Sequence, residues 1–110
     1  MANPWAGEVA IRIDGERQVL RLTLGALAEL ETQLGAEGLV ALVERFESAR
    51  FSTRDVLALI VAGLRGGGWQ GGPGDLLRAE IEGGPVAAAR AAAELLARAF
   101  ALPETPGQTP

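Results

Sequence analysis

The chain lacks cysteine, histidine, tyrosine and lysine. Without cysteine there is no disulfide framework, no thiolate nucleophile and no cysteine metal site. Without histidine there is neither the commonest general base nor the commonest metal ligand. We therefore expect that the chain is not an enzyme and has no catalytic residue, metal site or cofactor.

An excess of positive charge is also missing. Ten arginines face 14 acidic residues, which gives a net charge of −4 without any basic cluster. Nucleic acid and anionic lipid are therefore not expected as partners. The apolar run in the middle of the chain is about half the ~20 residues that a membrane span needs. Since the first residues also lack the pattern of a signal peptide, we expect a cytoplasmic protein.

Hydrophobic residues make up 48% of the chain, which is typical of a folded domain. We expect one domain over residues 1–102 and a disordered tail over residues 103–110, PETPGQTP. The predicted fold class is α+β and mostly α, with an N-terminal β-hairpin in residues 8–23 followed by a compact bundle of four to five helices.

The hairpin is predicted from two segments that alternate in polarity, Glu8–Ile13 and Gln18–Thr23. A two-residue turn at Asp14-Gly15 would place Ile11 opposite Gln18. A four-residue loop would instead place Ile11 opposite Leu20, on a shared apolar face. We predict the longer loop, because a matched apolar face normally sets strand register.

Apolar residues at helical spacing predict the remaining elements. Their expected bounds are Leu24–Leu34, Glu37–Ser48, a central helix from Ser52 to the glycines at 66–68, Pro73–Glu82, and Pro85–Ala101. The central helix is apolar on all sides, which indicates a position inside the bundle. Ser52 and Asp55 have the spacing of a capping box.

Carboxylate pairs such as Glu29/Glu31, Glu44/Glu47 and Glu80/Glu82 are interpreted as solvated helix faces rather than cation ligands. The glycines around Trp69 follow a helix and no lysine exists, so they do not form a phosphate-binding loop.

Three residues are candidates for partner binding: Trp69, Trp5 and Leu95. Trp69 could anchor a partner, or it could fold back onto the bundle with its indole N–H at the rim. Trp5 presents the same two alternatives. The last helix carries an apolar stripe, namely Val86, Ala89, Ala93, Leu96 and Phe100. This stripe could pair with another protein, but two heptads are too few for a stable free coiled coil, so we expect it to pack inside the chain. A mixed outcome, with the stripe buried and the Leu95 side left for a partner, stays open.

Three blocks resemble the small gene transfer agent family proteins, which are grouped with phage tail-assembly chaperones. The blocks are LRLTLGALAELETQLG (Leu20–Gly35), ERFESARFSTRDVLALIVAGLRGGGW (Glu44–Trp69) and AEIEGGPVAAARAAAELLARAF (Ala79–Phe100). The resemblance implies a non-enzymatic tail morphogenesis protein, a chaperone that binds the tape-measure and tail-tube proteins of a phage-like particle. The alternative it implies is a structural tail component that stays in the particle. A homo-oligomer is left open.

Overall fold

The computed structural model describes residues 7–100. Its elements are β1 (Val9–Ile13), β2 (Glu16–Leu20), α1 (Leu24–Leu34), a 3₁₀ turn (Gly35–Glu37), α2 (Gly38–Glu47), α3 (Thr53–Gly66), α4 (Pro73–Leu77) and α5 (Gly84–Ala99). The predicted fold class is thus confirmed: an antiparallel hairpin followed by a compact set of helices. The predicted disordered tail, 103–110, lies outside the described residues.

The hairpin turns at Asp14-Gly15, so the four-residue loop was wrong. Ile11 lies opposite Gln18 in the observed register. Asp14 and Gly15 have φ values of 53° and 83°. Two positive φ values define a type I′ turn, whose twist matches that of the flanking strands. The preference of Asp-Gly for this turn therefore sets the register, and it outweighs the apolar match of Ile11 with Leu20 that the longer loop would give.

Helix α3 is the centre of the fold, as predicted. Its side chains Leu59 and Leu64 are fully buried, and it contacts α1, α5 and β2. The capping box is also confirmed, since the Ser52 hydroxyl accepts from the Asp55 N–H and the Asp55 carboxylate accepts from the Ser52 N–H. At Gly63 an added Cβ would lie 2.5 Å from a methyl of Leu95. The bare backbone there lets α5 approach closely.

The glycines at the end of α3 are needed for close packing. A Cβ on Gly66 would lie 1.9 Å from the carbonyl oxygen of Arg21, and one on Gly67 would lie 2.0 Å from that of Val19. The helix therefore ends directly against the backbone at the end of β2. These glycines end the helix, as predicted, and they also let it pack directly against the hairpin.

Helix α4 is shorter than predicted, because the chain after Leu77 runs beside β1 instead of continuing as a helix. Ile81 forms a β-bridge with Ile13. The Glu82 N–H donates to the Arg12 carbonyl at 3.0 Å. After Leu77 the backbone thus pairs with the hairpin, and the helix that was predicted to continue to Glu82 ends early.

Candidate interaction surface

The predicted apolar stripe of α5 lies mostly at the surface. Val86 is 67% exposed, Phe100 is 44% exposed, and Ala93 is exposed. Leu96 is the one member of the stripe that is buried. The buried face of α5 consists of Ala88, Ala91, Ala92, Leu95 and Leu96.

Leu95 is fully buried, so the prediction that its side faces a partner was wrong. Alanine recurs on every side of α5, and its spacing therefore could not tell which face is buried. The large Leu95 side chain fills the space opposite Gly63 and fixes the rotation of the helix. Helical spacing then places five residues on one outward row, which we name the α5 strip: Val86, Ala89, Ala93, Ala97 and Phe100.

Two apolar grooves lie along the α5 strip. The first, of about 420 Å³, is bounded by α3, α4 and α5; its lining includes Phe51, Val56, Leu57, Leu77, Val86 and Ala89. The second, of about 300 Å³, lies between α2 and α5; its lining is Val43, Phe46, Glu47, Ala93, Leu96, Ala97 and Phe100. Together the grooves follow the strip over roughly 21 Å, at 1.5 Å per residue.

A stacked aromatic pair joins the two grooves. The rings of Phe46 and Phe51 have centroids 4.5 Å apart and planes within 7° of parallel. Phe51 lines the first groove and Phe46 lines the second. The structure shows both half-buried. Their aromatic character is visible in the sequence, but the stacking of Phe46, on α2, against Phe51, in the loop before α3, is not.

Most of the large apolar side chains that the described part exposes lie on this side. Leu77, Val86 and Phe100 line the grooves, with exposures of 70%, 67% and 44%. Val40 is 72% exposed and lies about one turn before Val43 on α2. Leu24, on α1, belongs to neither groove. Exposed apolar side chains concentrated on one face mark a surface for association.

A partly buried ion pair holds α2 against α3 beside the grooves. The Arg45 guanidinium donates two hydrogen bonds of 2.9 Å to the carboxylate of Asp55, and a third to Glu37. Asp55 is 6% exposed. Burial alone would raise the pKa of Asp55, but the hydrogen bonds from Arg45 and Ser52 outweigh it, so the pKa is lowered. The hydrogen bond to Asp55 raises the pKa of Arg45. The pair is therefore ionised at neutral pH.

Trp69 is half-buried and packs against the edge of the core. Its backbone N–H donates to the Leu64 carbonyl at 2.9 Å. The side chain lines a shallow cavity of about 370 Å³ with Glu29 and Arg65, which form an ion pair of 3.2 Å. This cavity is separate from the two grooves. A role of Trp69 in partner binding stays a prediction, and Trp5 lies outside the described residues.

The carboxylates of the described residues do not gather into a cation site. Within residues 7–100 no group of three or more Asp and Glu side chains could hold a metal ion. Glu29 pairs with Arg65, and Glu82 pairs with Arg12 at 3.1 Å. In the same part of the chain no helix has the length and hydrophobicity to cross a membrane. What the surface around α5 can do is bind apolar side chains.

Comparison with known proteins agrees with the block resemblance. A family model described as "Phage tail tube protein, GTA-gp10" matches residues 6–102. The match covers the hairpin, all five helices and both grooves. No curated protein and no solved structure matches the chain.

Proposed function

We propose that this chain, which belongs to the phage tail tube protein, GTA-gp10, family, is a non-enzymatic component of a phage-like tail that acts by binding other proteins. The observation that carries the proposal is the pair of apolar grooves along α5 within the matched region. A surface of this kind is suited to protein contact, because it offers apolar area to a partner that covers it.

The first candidate role is a structural component that stays in the tail. The description of the family names a tail tube protein, which favours this role over a transient one. A subunit built into a tail must bury surface against its neighbours, and the exposed Leu77, Val86 and Phe100 provide such surface.

The second candidate role is an assembly chaperone that binds the tape-measure and tail-tube proteins before the tail forms. The shape of the grooves favours this role. An amphipathic helix binds by laying its apolar face into a hydrophobic groove. The joined grooves have the length of about four helical turns, at 5.4 Å per turn.

Mass spectrometry of purified particles separates the two roles. A structural component is expected in copy numbers similar to those of the other tail proteins. A chaperone is expected to be absent from finished particles and to co-purify with the tape-measure protein when the two are co-expressed. A chain found neither in particles nor with either tail protein would contradict both roles.

A further inference from the structure

We infer that the α5 strip binds a second copy of this chain, with the two α5 helices antiparallel and a two-fold axis through Ala93. The inference depends on the shape and charge of α5 and does not depend on the proposed function. The strip is a row of apolar side chains along a 16-residue helix and its C-cap residue Phe100. Its members are exposed except for the half-buried Ala89, and its middle consists of alanine. Small residues at the centre allow two helix axes to come within about 8 Å.

The side chains of the strip match one another in this arrangement. Val86 lies seven residues before Ala93 and Phe100 lies seven residues after it. The axis therefore places Val86 of one copy opposite Phe100 of the other, at both ends of the contact. Ala89 and Ala97, four residues before and after the axis, meet in the same way. Such a surface is isologous, because each copy offers the patch that the other needs.

The charges beside the strip are also complementary. Arg90 and Glu94 lie one turn apart on the same flank of the strip, both exposed. Glu94 pairs with Arg98 at 3.3 Å, whereas Arg90 has no ion-pair partner among residues 7–100. A two-fold antiparallel pair brings equivalent flanks together. Arg90 then lies within two residues, roughly 3 Å along the axis, of Glu94 in the second copy.

The charges also select the antiparallel arrangement. Two Arg90–Glu94 pairs form across the antiparallel contact, and each gives a partner to an arginine that has no ion pair within residues 7–100. In a parallel pair, residues of the same number lie at the same height, so that Arg90 would be level with Arg90 and Phe100 with Phe100. Opposite charges fix register and partner choice in helix pairs of this kind.

Sedimentation equilibrium of the full chain tests the inference. We expect a dimer whose dissociation constant rises by about tenfold or more in Ala93→Arg, because two arginines then meet on the axis. The control is Ala28→Arg, which changes an exposed alanine on α1 away from the strip. Circular dichroism checks that both variants fold. The inference is overturned if the chain stays monomeric up to millimolar concentration, or if Ala93→Arg dimerises as the unchanged chain does.

A charge exchange tests the antiparallel pairing itself. Arg90→Glu places a new carboxylate against Glu94 of the second copy, and Glu94→Arg places a new guanidinium against Arg90, so each variant alone should dimerise less than the unchanged chain. An equimolar mixture of the two variants should form heterodimers, because each contact then joins opposite charges. A mixture that associates no better than its components would contradict the pairing. A monomer whose strip instead binds a helical peptide of the tape-measure protein would overturn the inference and assign the strip to that partner.

Discussion

Asp55 is the residue through which α2 and α3 are joined in the interior. Among residues 7–100 it is the one charged side chain that is buried. The hydrogen bonds to its carboxylate come from two sources, the guanidinium of Arg45 and the backbone N–H of Ser52. A buried carboxylate is tolerated only when such partners replace water. One side chain thus caps α3 and ties it to its neighbour.

The lowered pKa of Asp55 predicts that stability falls in acid. The unfolded chain, whose Asp has a pKa of about 3.9, takes up the proton before the folded chain does. The contribution of Asp55 is therefore complete well above pH 4 and is lost as the pH falls through the lower pKa of the folded state. Urea unfolding between about pH 2.5 and pH 7 measures this slope.

Asp55→Asn should remove that part of the acid dependence and lower the free energy of unfolding at pH 7 by about 2 kcal/mol. Asp75→Asn is the matched control, because Asp75 caps α4 in the same way but is exposed. Equal losses in the two variants would show that capping, rather than the pair with Arg45, provides the stability.

Trp69 lies partly in the core and partly at the surface. Replacing it measures its contribution to stability separately from its contribution to partner binding. Trp69→Ala should lower the free energy of unfolding by about 2 kcal/mol, roughly half the cost of removing a fully buried Trp, because the ring packs against the core edge. Chemical denaturation measures this change. An unchanged stability together with binding to a tail protein weakened by ~2 kcal/mol would instead identify Trp69 as an anchor.

At the scale of elements, the molecule depends on close approach of backbones around α3. The helix meets α5 at Gly63 and the end of β2 at Gly66 and Gly67. In each place a Cβ would enter space that another residue already occupies. The glycines are thus packing residues as well as helix terminators, and they hold the hairpin on the bundle. A lone two-stranded hairpin is at best marginally stable in water, so this contact supports it.

Gly66→Ala should therefore be destabilising by about 2–3 kcal/mol, since its methyl group would overlap the Arg21 carbonyl oxygen. Gly25→Ala is the matched control within α1. There the new methyl group meets only the Thr23 hydroxyl oxygen at 3.9 Å, and the better helix propensity should stabilise by ~0.5–1 kcal/mol. Thermal and urea unfolding measure both variants. A Gly66→Ala variant as stable as Gly25→Ala would contradict the close contact.

At the scale of the whole molecule, the apolar surface is unevenly distributed. One side carries the α5 strip, the two grooves and the stacked pair of Phe46 and Phe51. The core on the other side of α5 is closed by Leu95. This asymmetry supports the proposed role in protein binding, because one face of α5 stabilises the monomer while the other leaves apolar side chains exposed.

Association through that face predicts a thermal midpoint that depends on concentration. If the dimer forms through the α5 strip, dilution shifts the chain toward the less stable monomer, and the midpoint should fall. Ala93→Arg should show a midpoint that is independent of concentration and close to that of the diluted chain. Calorimetry over a wide range of concentration measures this. A constant midpoint for the unchanged chain would speak against dimerisation.

The local features follow from the order of the amino acids alone. Thr23 caps α1 and Gly35 ends it, in agreement with the predicted bounds, and Ser52 with Asp55 opens α3 as predicted. These features depend on hydrogen bonds between residues a few positions apart, so the residues that make them are visible in one stretch of chain. The apolar character of α3 also settled its central place, since a helix without a polar face has no side to offer water.

Which helix faces meet depends on contacts between distant parts of the chain. The exposure of the α5 strip, the burial of Leu95 and the joining of the two grooves depend on side chains from distant parts of the chain. The early end of α4 was settled by the bridge from Ile13 to Ile81. The register of the hairpin, by contrast, was set locally by the turn at Asp14-Gly15. Local sequence patterns indicate where each helix and strand lies. The rotation of each helix about its axis is set by the side chains that pack against it.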